Sequence, residues 1–412
     1  MKKKIILAML FTSMLLAITP IASGKGMKKI PGDANDDEKL TEEELASAII
    51  SYMLGEAGQD MEDLRDAAHV YAYWGGEPKR ITDSAGRNIT IYKPINRVVV
   101  FNSETVETMR SLNASDKIVG ACKYAIQNDL FFPEFKNLTN VGSVWSPNYE
   151  EVLKCQPDTV FLYATVSVSY CDEIERTLKE LNPSITVVRF DCFKPSSYAD
   201  EVRKLGYILE REGEAESLVD FYEGFLSQIY DKVEDIPEEN RTRVYIEAWR
   251  PYHTAGNGSG WHEKVELVGG YNIFSDFSGY FDVDAEEVAR RNPDVIIRIA
   301  KEEGGYDTND VTELSDLRDE IMNRSELSGV SAVKNGRVYV ISTDILGGVR
   351  HFVGMGYIAK WLYPEMFSDL NPEEIHQQYL ADPEEIHQQY LAEFQGLSED
   401  LVSNGVFVYP ER

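Results

Sequence analysis

The chain is expected to fold as an α/β protein of two similar lobes, each a mostly parallel sheet flanked by helices, with one long helix joining them. Three observations carry that expectation. Two segments look like copies of one another, EEVLKCQPDTVFL from Glu150 and EEVARRNPDVIIR from Glu286, and in both a Glu lies seven residues before a Pro-Asp pair that opens an apolar, β-branched run. A helix stopped before proline, a tight turn and a buried strand account for each copy. Next, RVVVFNSETVETMRSLNASDKIVGAC alternates strand, helix and strand patterns, and such alternation builds parallel sheets covered on both faces. Finally, beyond Gly213 the apolar residues Leu218, Phe221 or Tyr222, Phe225, Ile229 and Val233 recur at helical spacing for roughly five turns. That helix lies between the two copies and is the natural strut.

The N-terminus reads Met-Lys-Lys-Lys, then an apolar run from Ile5 to Ala22, then small residues at Ser23 and Gly24. This is the order of a secretory signal over 1–24. An uncleaved anchor is the alternative, since the run is long enough to span a bilayer. Either way the protein is expected outside the cytoplasm, at the cell surface or in a periplasm-like space.

A helical module is expected over 27–76. Asp33, Asn35, Asp37, Lys39, Thr41 and Glu44 occupy positions 1, 3, 5, 7, 9 and 12 of a calcium loop. A hard cation takes side-chain oxygens from alternate loop positions, a carbonyl at the seventh and a bidentate carboxylate at the twelfth. The loop resembles an EF-hand or one half of a dockerin repeat, with Ca2+ as its expected cofactor. It departs from the pattern at Glu38, where glycine normally makes the sharp turn. Read without a cation, Thr41 and Glu44 form a capping box for the helix over 42–53. A second helix is expected over 61–74.

Gly75-Gly76-Glu77-Pro78 marks a boundary. The first lobe is expected over 79–212, beginning with a hairpin that turns at Ser84-Ala85-Gly86; the joining helix covers 213–235 and the second lobe 236–367. The tail, 368–412, contains PEEIHQQYLAD at Pro372 and PEEIHQQYLAE at Pro383 in immediate tandem. Eleven residues are close to a whole number of helical turns, so a helix can absorb the insertion without rotating its face; Pro383 favours a kink. His376 and His387 read as passengers of this duplication.

The charge of −29 argues against nucleic acid, which needs a Lys/Arg footprint. Cys122, Cys155, Cys171 and Cys192 show no CxxC spacing. They could pair in any of three ways in an exported protein, or serve as small core hydrophobes. No G-x-S-x-G, phosphate-binding G-x-x-x-x-G-K or H-E-x-x-H occurs, and the reading is of a non-enzyme without catalytic residues.

Several segments, in order, carry a resemblance: RITDSAGRNITIYKPINRVVV, SETVETMRSLNASDKIVGA, VGSVWSPNYEEVLKCQPDTVFL, TAGNGSGWHEKVELVGGYNI and DAEEVARRNPDVIIR. Over roughly 79–367 the chain resembles the class III substrate-binding proteins of ABC importers, receptors for ferric siderophores, cobalamin and haem. The resemblance implies two Rossmann-like lobes on one rigid helix, with the ligand in the cleft between them. It also implies that one carboxylate per lobe, Glu150 and Glu286 by motif position, engages the ABC permease subunits. Matched acids on two lobes suit a partner with two matched basic patches.

Ligand contacts are expected beyond the carboxyl ends of the strands. That rule selects Tyr163, the cluster Trp249, Arg250, Tyr252 and His253, then Arg298, and Arg350 with His351; Trp145 and Trp261 lie on further candidate loops. Aromatic residues suit a flat or greasy ligand, and arginines suit carboxylate, phosphate or catecholate oxygens. The expected activity is capture of an iron chelate and delivery to the permease by a monomer. Alternatives are corrinoid or haem capture, bare metal held by His253, His262 and His351, and a calcium-dependent cell-surface interaction protein.

Overall fold

The computed structural model describes residues 29–56, 60–380 and 405–410. The expected signal over 1–24 and the second copy of the duplication, with Pro383 and His387, lie outside the described residues. Among the described residues, no helix is long and apolar enough to cross a membrane.

The N-terminal module is a pair of helices, Glu42–Met53 and Met61–Trp74. Thr41 and Glu44 cap the first reciprocally, and Asp60 caps the second by accepting from Glu62 N and Asp63 N. Ile30, Leu40, Ala67 and Val70 form a small core of their own. Gly76 permits the close return of the chain: a Cβ there would lie 2.3 Å from the Leu40 carbonyl oxygen, and Leu40 N donates to Gly76 O.

The hairpin Lys79–Thr82 and Asn88–Ile91 follows. The first lobe then builds a five-stranded parallel sheet in the order Thr139–Asn140, Ile118–Ala121, Val98–Val100, Thr159–Leu162, Thr186–Arg189. The second lobe has the order Gly270–Asn272, Thr242–Ala248, Val295–Ala300, Val338–Ser342, Val408–Tyr409, with only the last strand antiparallel. Helix Glu212–Val233 joins them.

Alternation along the strands sends side chains to opposite faces. Val98, Val100 and Phe161 of the first lobe, and Val244, Ile246 and Ile297 of the second, face one continuous core. The apolar side of the joining helix, Leu218 to Val233, fills the same core. The outer faces carry separate cores, around Val99, Phe101, Val160 and Leu162 in one lobe and Tyr245, Ile296 and Val288 in the other. The shared inner core explains why the joining element is a rigid helix: unwinding it would expose core surface.

The repeated unit forms the same device in both lobes. Its helices are Tyr149–Lys154 and Ala285–Arg291. The residue before each proline, Gln156 or Asn292, is left-handed, with φ 48° and 45°, which ends the helix. The Asp after each proline then grips the start of the neighbouring strand: Asp158 accepts from Asn96 N and Arg97 N, and Asp294 from Arg243 N. Arg97 and Arg243 return the contact by donating to the helix-end carbonyls of Cys155 and Arg291. These arginines precede the apolar runs Val98-Val99-Val100 and Val244-Tyr245-Ile246, so the repeat is larger than the Glu-to-Pro-Asp segment alone.

All four cysteines are free and buried. Cys122 is pushed up to about 12 by burial, which leaves a thiol that packs rather than reacts.

Candidate functional site

The lobes face one another at the carboxyl ends of their strands, where loops rather than sheet supply the side chains. On the first lobe this wall holds Glu104, Tyr163 and Phe193. Tyr163 Oη donates to Glu104 Oε2 at 2.9 Å, and Ser103 Oγ donates to the same oxygen at 3.2 Å. Burial raises the Glu104 carboxyl above its usual range and drives the Tyr163 hydroxyl well above its own. Phe193 meets Tyr163 edge-on at 6.4 Å.

The second lobe answers with aromatic rings and one amine. Trp249, half exposed and left-handed at φ 64°, stacks on Tyr280 at 5.3 Å and lies 5.8 Å from His253 and 6.3 Å from Trp261. Helix Gly260–Leu267, capped by Ser259, carries Trp261 and Lys264 one turn apart. Lys264 is 1% exposed, with its ammonium 4.7 Å from the Trp261 ring centre. Burial pulls it down to about 7, partly offset by Glu263 and Glu104. The walls touch: a Cβ on Gly260 would stand 3.7 Å from the Phe193 ring, and one on Gly348 would stand 3.8 Å from Glu104. Ser196 N donates to Glu263 across the gap at 2.8 Å.

Of the residues expected to contact ligand, Tyr163, Trp249 and His253 at strand ends and Trp261 on its loop converge here. Arg250 stays exposed beside them, sharing Asp282 with His253 at 2.7 Å each. Trp145 is exposed and pairs edge-on with Tyr124 at 6.2 Å.

Four expectations need correction, for one physical reason: each side chain is held by partners within the protein. Arg298 pairs with buried Glu247 at 3.1 Å and donates to Trp249 O, so it props the Trp249 loop from beneath. Tyr252 turns to the outer face, where its ring lies under the Arg324 guanidinium and its hydroxyl donates to Glu326. Arg350 bonds Glu107 at 3.1 Å and Tyr306 at 2.7 Å and lies 4.0 Å from the Phe131 ring, which makes it a clasp between lobes. His351 is fully buried against Tyr222 Oη and Gly348 O, and burial holds it well below its normal range. His376 likewise is a buried partner of Tyr306.

Glu104, Phe193, Lys264 and Tyr280 were missed. Glu104 had a signal, since it follows the first strand closely. Lys264 had another: it interrupts the apolar helix stripe Trp261, Val265, Val268, a position where a charge needs a reason.

Glu150 and Glu286 sit at the second position of their respective helices, both exposed. Glu150 pairs with Lys154 at 3.0 Å and rims an open recess with Asn140, Ser146, Asn148 and Tyr149. Another recess, of about 570 Å³, lies between the N-terminal module and the first lobe, far in sequence from these strand ends and lined by His69, Trp74, Tyr207 and Glu210. Its polar groups bond one another: Glu210 accepts from Trp74 Nε1 and meets His69 Nε2 at 2.7 Å.

In the calcium-loop segment, Asp33 is buried and accepts from Asp36 N and Glu38 N. Asn35, Asp37 and Glu44 spend their oxygens on Asp37 N, Lys39 N, and Ala34 N with Thr41 N. Among the described residues no three metal-ligating side chains cluster.

Two parallel-sheet lobes on a common helix, with facing walls at their strand ends, define a two-lobed solute receptor. The chain belongs to the periplasmic binding protein family, whose model matches residues 98–344, and it is a substrate-binding protein of ABC transporters. It is 25% identical over 296 residues to the uncharacterised ABC transporter substrate-binding lipoprotein YvrC of Bacillus subtilis, covering 71% of this chain and 88% of that one. It is 24% identical over 330 residues to the molybdate-binding protein MolA of Haemophilus influenzae, covering 73% and 89%. The TroA-like periplasmic binding protein FepB from Veillonella parvula superposes with a TM-score of 0.66 at 21% identity, over 80% of this chain and 99% of that one. The family consists of solute-binding proteins acting outside the cytoplasm with permease subunits as partners.

Proposed function

We propose that this protein captures an iron chelate of the siderophore type between its lobes and hands it to an ABC permease, which reads Glu150 and Glu286. The observation that carries the cargo reading is the aromatic group Trp249, Tyr280, His253 and Trp261 facing the Tyr163 and Phe193 wall. Flat rings on both sides suit a broad, partly apolar ligand, while Lys264 suits its charge. Corrinoid or haem capture would use the same surfaces. The docking reading rests on two exposed acids held at the same helix position by the same latch.

Titration of the protein with a ferric siderophore, cyanocobalamin and haem, followed by tryptophan fluorescence, tests the cargo. Saturable quenching by the ferric chelate is expected; binding of a sugar or peptide instead would refute it. For docking, Glu150→Lys and Glu286→Lys should leave chelate affinity unchanged and abolish stimulation of permease ATPase activity. Loss of chelate binding would move those acids into the cleft.

A second reading concerns the N-terminal loop, which we propose binds calcium weakly and supports a surface interaction. Asp36 and Glu38 are left-handed, at φ 59° and 63°, and Glu44 reaches back to Ala34 N, so the backbone winds around a common centre. The fit is partial, because Asn35, Asp37 and Glu44 would have to release backbone N–H groups to a cation and Glu38 strains the turn. Calorimetry with calcium checks this: a weak exothermic isotherm that disappears in Asp33→Ala is expected.

A further inference from the structure

Two donors of buried residues on helix Gly260–Leu267 are left without a hydrogen-bond acceptor among the described residues. Trp261 Nε1 is buried and has no hydrogen-bond acceptor. Lys264, 1% exposed, forms no hydrogen bond or ion pair among the described residues, and its ammonium lies over the Trp261 ring, 4.7 Å from its centre. A buried ammonium without a directly bonded counter-charge is costly, and an indole N–H without an acceptor adds to that cost. The nearby acids relieve it only in part and from a distance: Glu263 bonds Ser196 N across the gap, and Glu104 the hydroxyls of Tyr163 and Ser103. Both orphan donors issue from the first turn and a half of one helix, whose N-terminus also favours negative charge.

We propose that Lys264 and Trp261 Nε1 are the cargo's anion-holding donors, so that this receptor selects solutes presenting an anionic oxygen, of carboxylate, catecholate or oxo-anion type, to the second lobe. The proposal rests on the solute-capture reading and narrows it. A cargo oxygen between the two donors replaces the missing counter-charge, and the flanking rings of Trp249 and Phe193 exclude water from the contact. Charge-assisted hydrogen bonds in such a setting are about twice as strong as neutral ones. Glu104 on the opposite wall disfavours a second anionic group there, which gives the site polarity: the anionic end of the cargo faces the second lobe.

The experiment compares wild type with Lys264→Met, Lys264→Arg and Trp261→Phe by calorimetry. The probes are an anionic ferric tricatecholate, a charge-neutral ferric trihydroxamate of similar size, and molybdate. Wild type is expected to favour the tricatecholate; Lys264→Met should weaken it by about tenfold or more while leaving the trihydroxamate unchanged, Lys264→Arg should retain most of the preference, and Trp261→Phe should lose a smaller part. Equal binding of the tricatecholate by wild type and Lys264→Met overturns the proposal. If wild type binds neither chelate, the iron-chelate reading fails, and molybdate decides this one: binding lost in Lys264→Met sustains it with a different cargo, and no anion binding at all overturns it. A thermal melt without ligand adds an independent check. Lys264→Met should raise Tm, because it removes an uncompensated charge; a lowered Tm would mean the lysine has a structural partner and would overturn the assignment.

Discussion

The two lobes close the same latch over different chemistry. Counting from the paired arginines and prolines, Phe101 and Leu162 of the first lobe stand where Glu247 and Arg298 stand in the second. Phe101 and Leu162 pack in an apolar outer core. Glu247 and Arg298 are register partners in adjacent strands, fully buried as an ion pair that Arg324 completes at 2.7 Å. The latch fixes where the strands start, and so fixes the backbone; what the strand ends carry is then free to diverge. In the second lobe the divergence has a use, since Arg298 also holds Trp249 O and Glu247 accepts from Tyr252 N. The ion pair thus shapes the loop that presents the aromatic wall.

The largest expected effect breaks that pair. Glu247→Ala leaves two buried guanidinium groups facing a void, and truncating one partner of a buried pair costs about 3–5 kcal/mol. Denaturant unfolding should report a loss of that order, with Trp249 fluorescence altered at the same time. Installing the first lobe's solution, Glu247→Phe with Arg298→Leu, should recover most of the stability, because Arg324 keeps Glu320 at 2.8 Å. It should not recover cargo affinity, since the Trp249 loop loses its prop. Recovery of both would show that the ion pair has no part in shaping the wall.

The latch itself ranks next, and its two carboxylates differ by one hydrogen bond. Asp158→Ala frees Asn96 N and Arg97 N, whereas Asp294→Ala frees only Arg243 N. At about 0.5–1.5 kcal/mol net per hydrogen bond, the first substitution, which removes two, should cost more than the second in the same unfolding assay. Equal costs would argue that the shared Arg-to-carbonyl contacts, and not the carboxylates, hold the strands.

How much of this was legible follows from which patterns are local. The Pro-Asp repeat, the β-branched runs and the spacing from Leu218 to Val233 are short-range signals, and the sheets and joining helix lie where those signals put them. Strand-end residues were selected by a rule that says where a side chain starts and nothing about where it points. Arg298, Arg350 and His351 satisfied the rule, yet each turned toward a partner far away in sequence, Glu247, Glu107 and Tyr222. Those partners become visible only when the chain is folded. Lys264 is the converse case: its position in an apolar stripe was readable, but its significance depends on its lacking a hydrogen-bond or ion-pair partner among the described residues.

Lys264 also separates the cleft walls by pH. Its unfolded value is near 10.4 and its folded value about 7, so between these limits the unfolded chain binds more protons and stability rises with pH. Below about pH 7 both states are protonated and the slope vanishes. Glu263 faces the amine from its own helix, Glu104 from the first lobe and His351 from the helix behind it. Wild type should gain stability between about pH 7 and pH 9 relative to Lys264→Met measured in parallel, with Glu104→Gln as the control for the opposing carboxyl. Over the same interval affinity for the anionic chelate should fall as the amine loses its proton. A wild-type curve parallel to that of Lys264→Met would mean the amine does not titrate there.

The smallest effect returns to the latch and differs in sign between its copies. Gln156 and Asn292 hold equivalent left-handed positions, a conformation that costs an L-residue roughly 1–2 kcal/mol, with asparagine among the exceptions. Gln156 makes no side-chain hydrogen bond among the described residues, so Gln156→Gly relieves strain at the expense of only the glycine's unfolded-state entropy, about 0.5–1 kcal/mol. The variant should be about 0.5–1 kcal/mol more stable by this difference. Asn292 has little strain to relieve, and its amide clamps Ser331 twice, Nδ2 donating to Oγ at 2.9 Å and Oδ1 accepting from Ser331 N at 2.8 Å. Asn292→Gly should therefore destabilise, by about 1 kcal/mol for the lost hydrogen bonds. If the two glycine variants shifted the unfolding midpoint in the same direction, the local geometry of the repeat, and not its neighbours, would govern both copies.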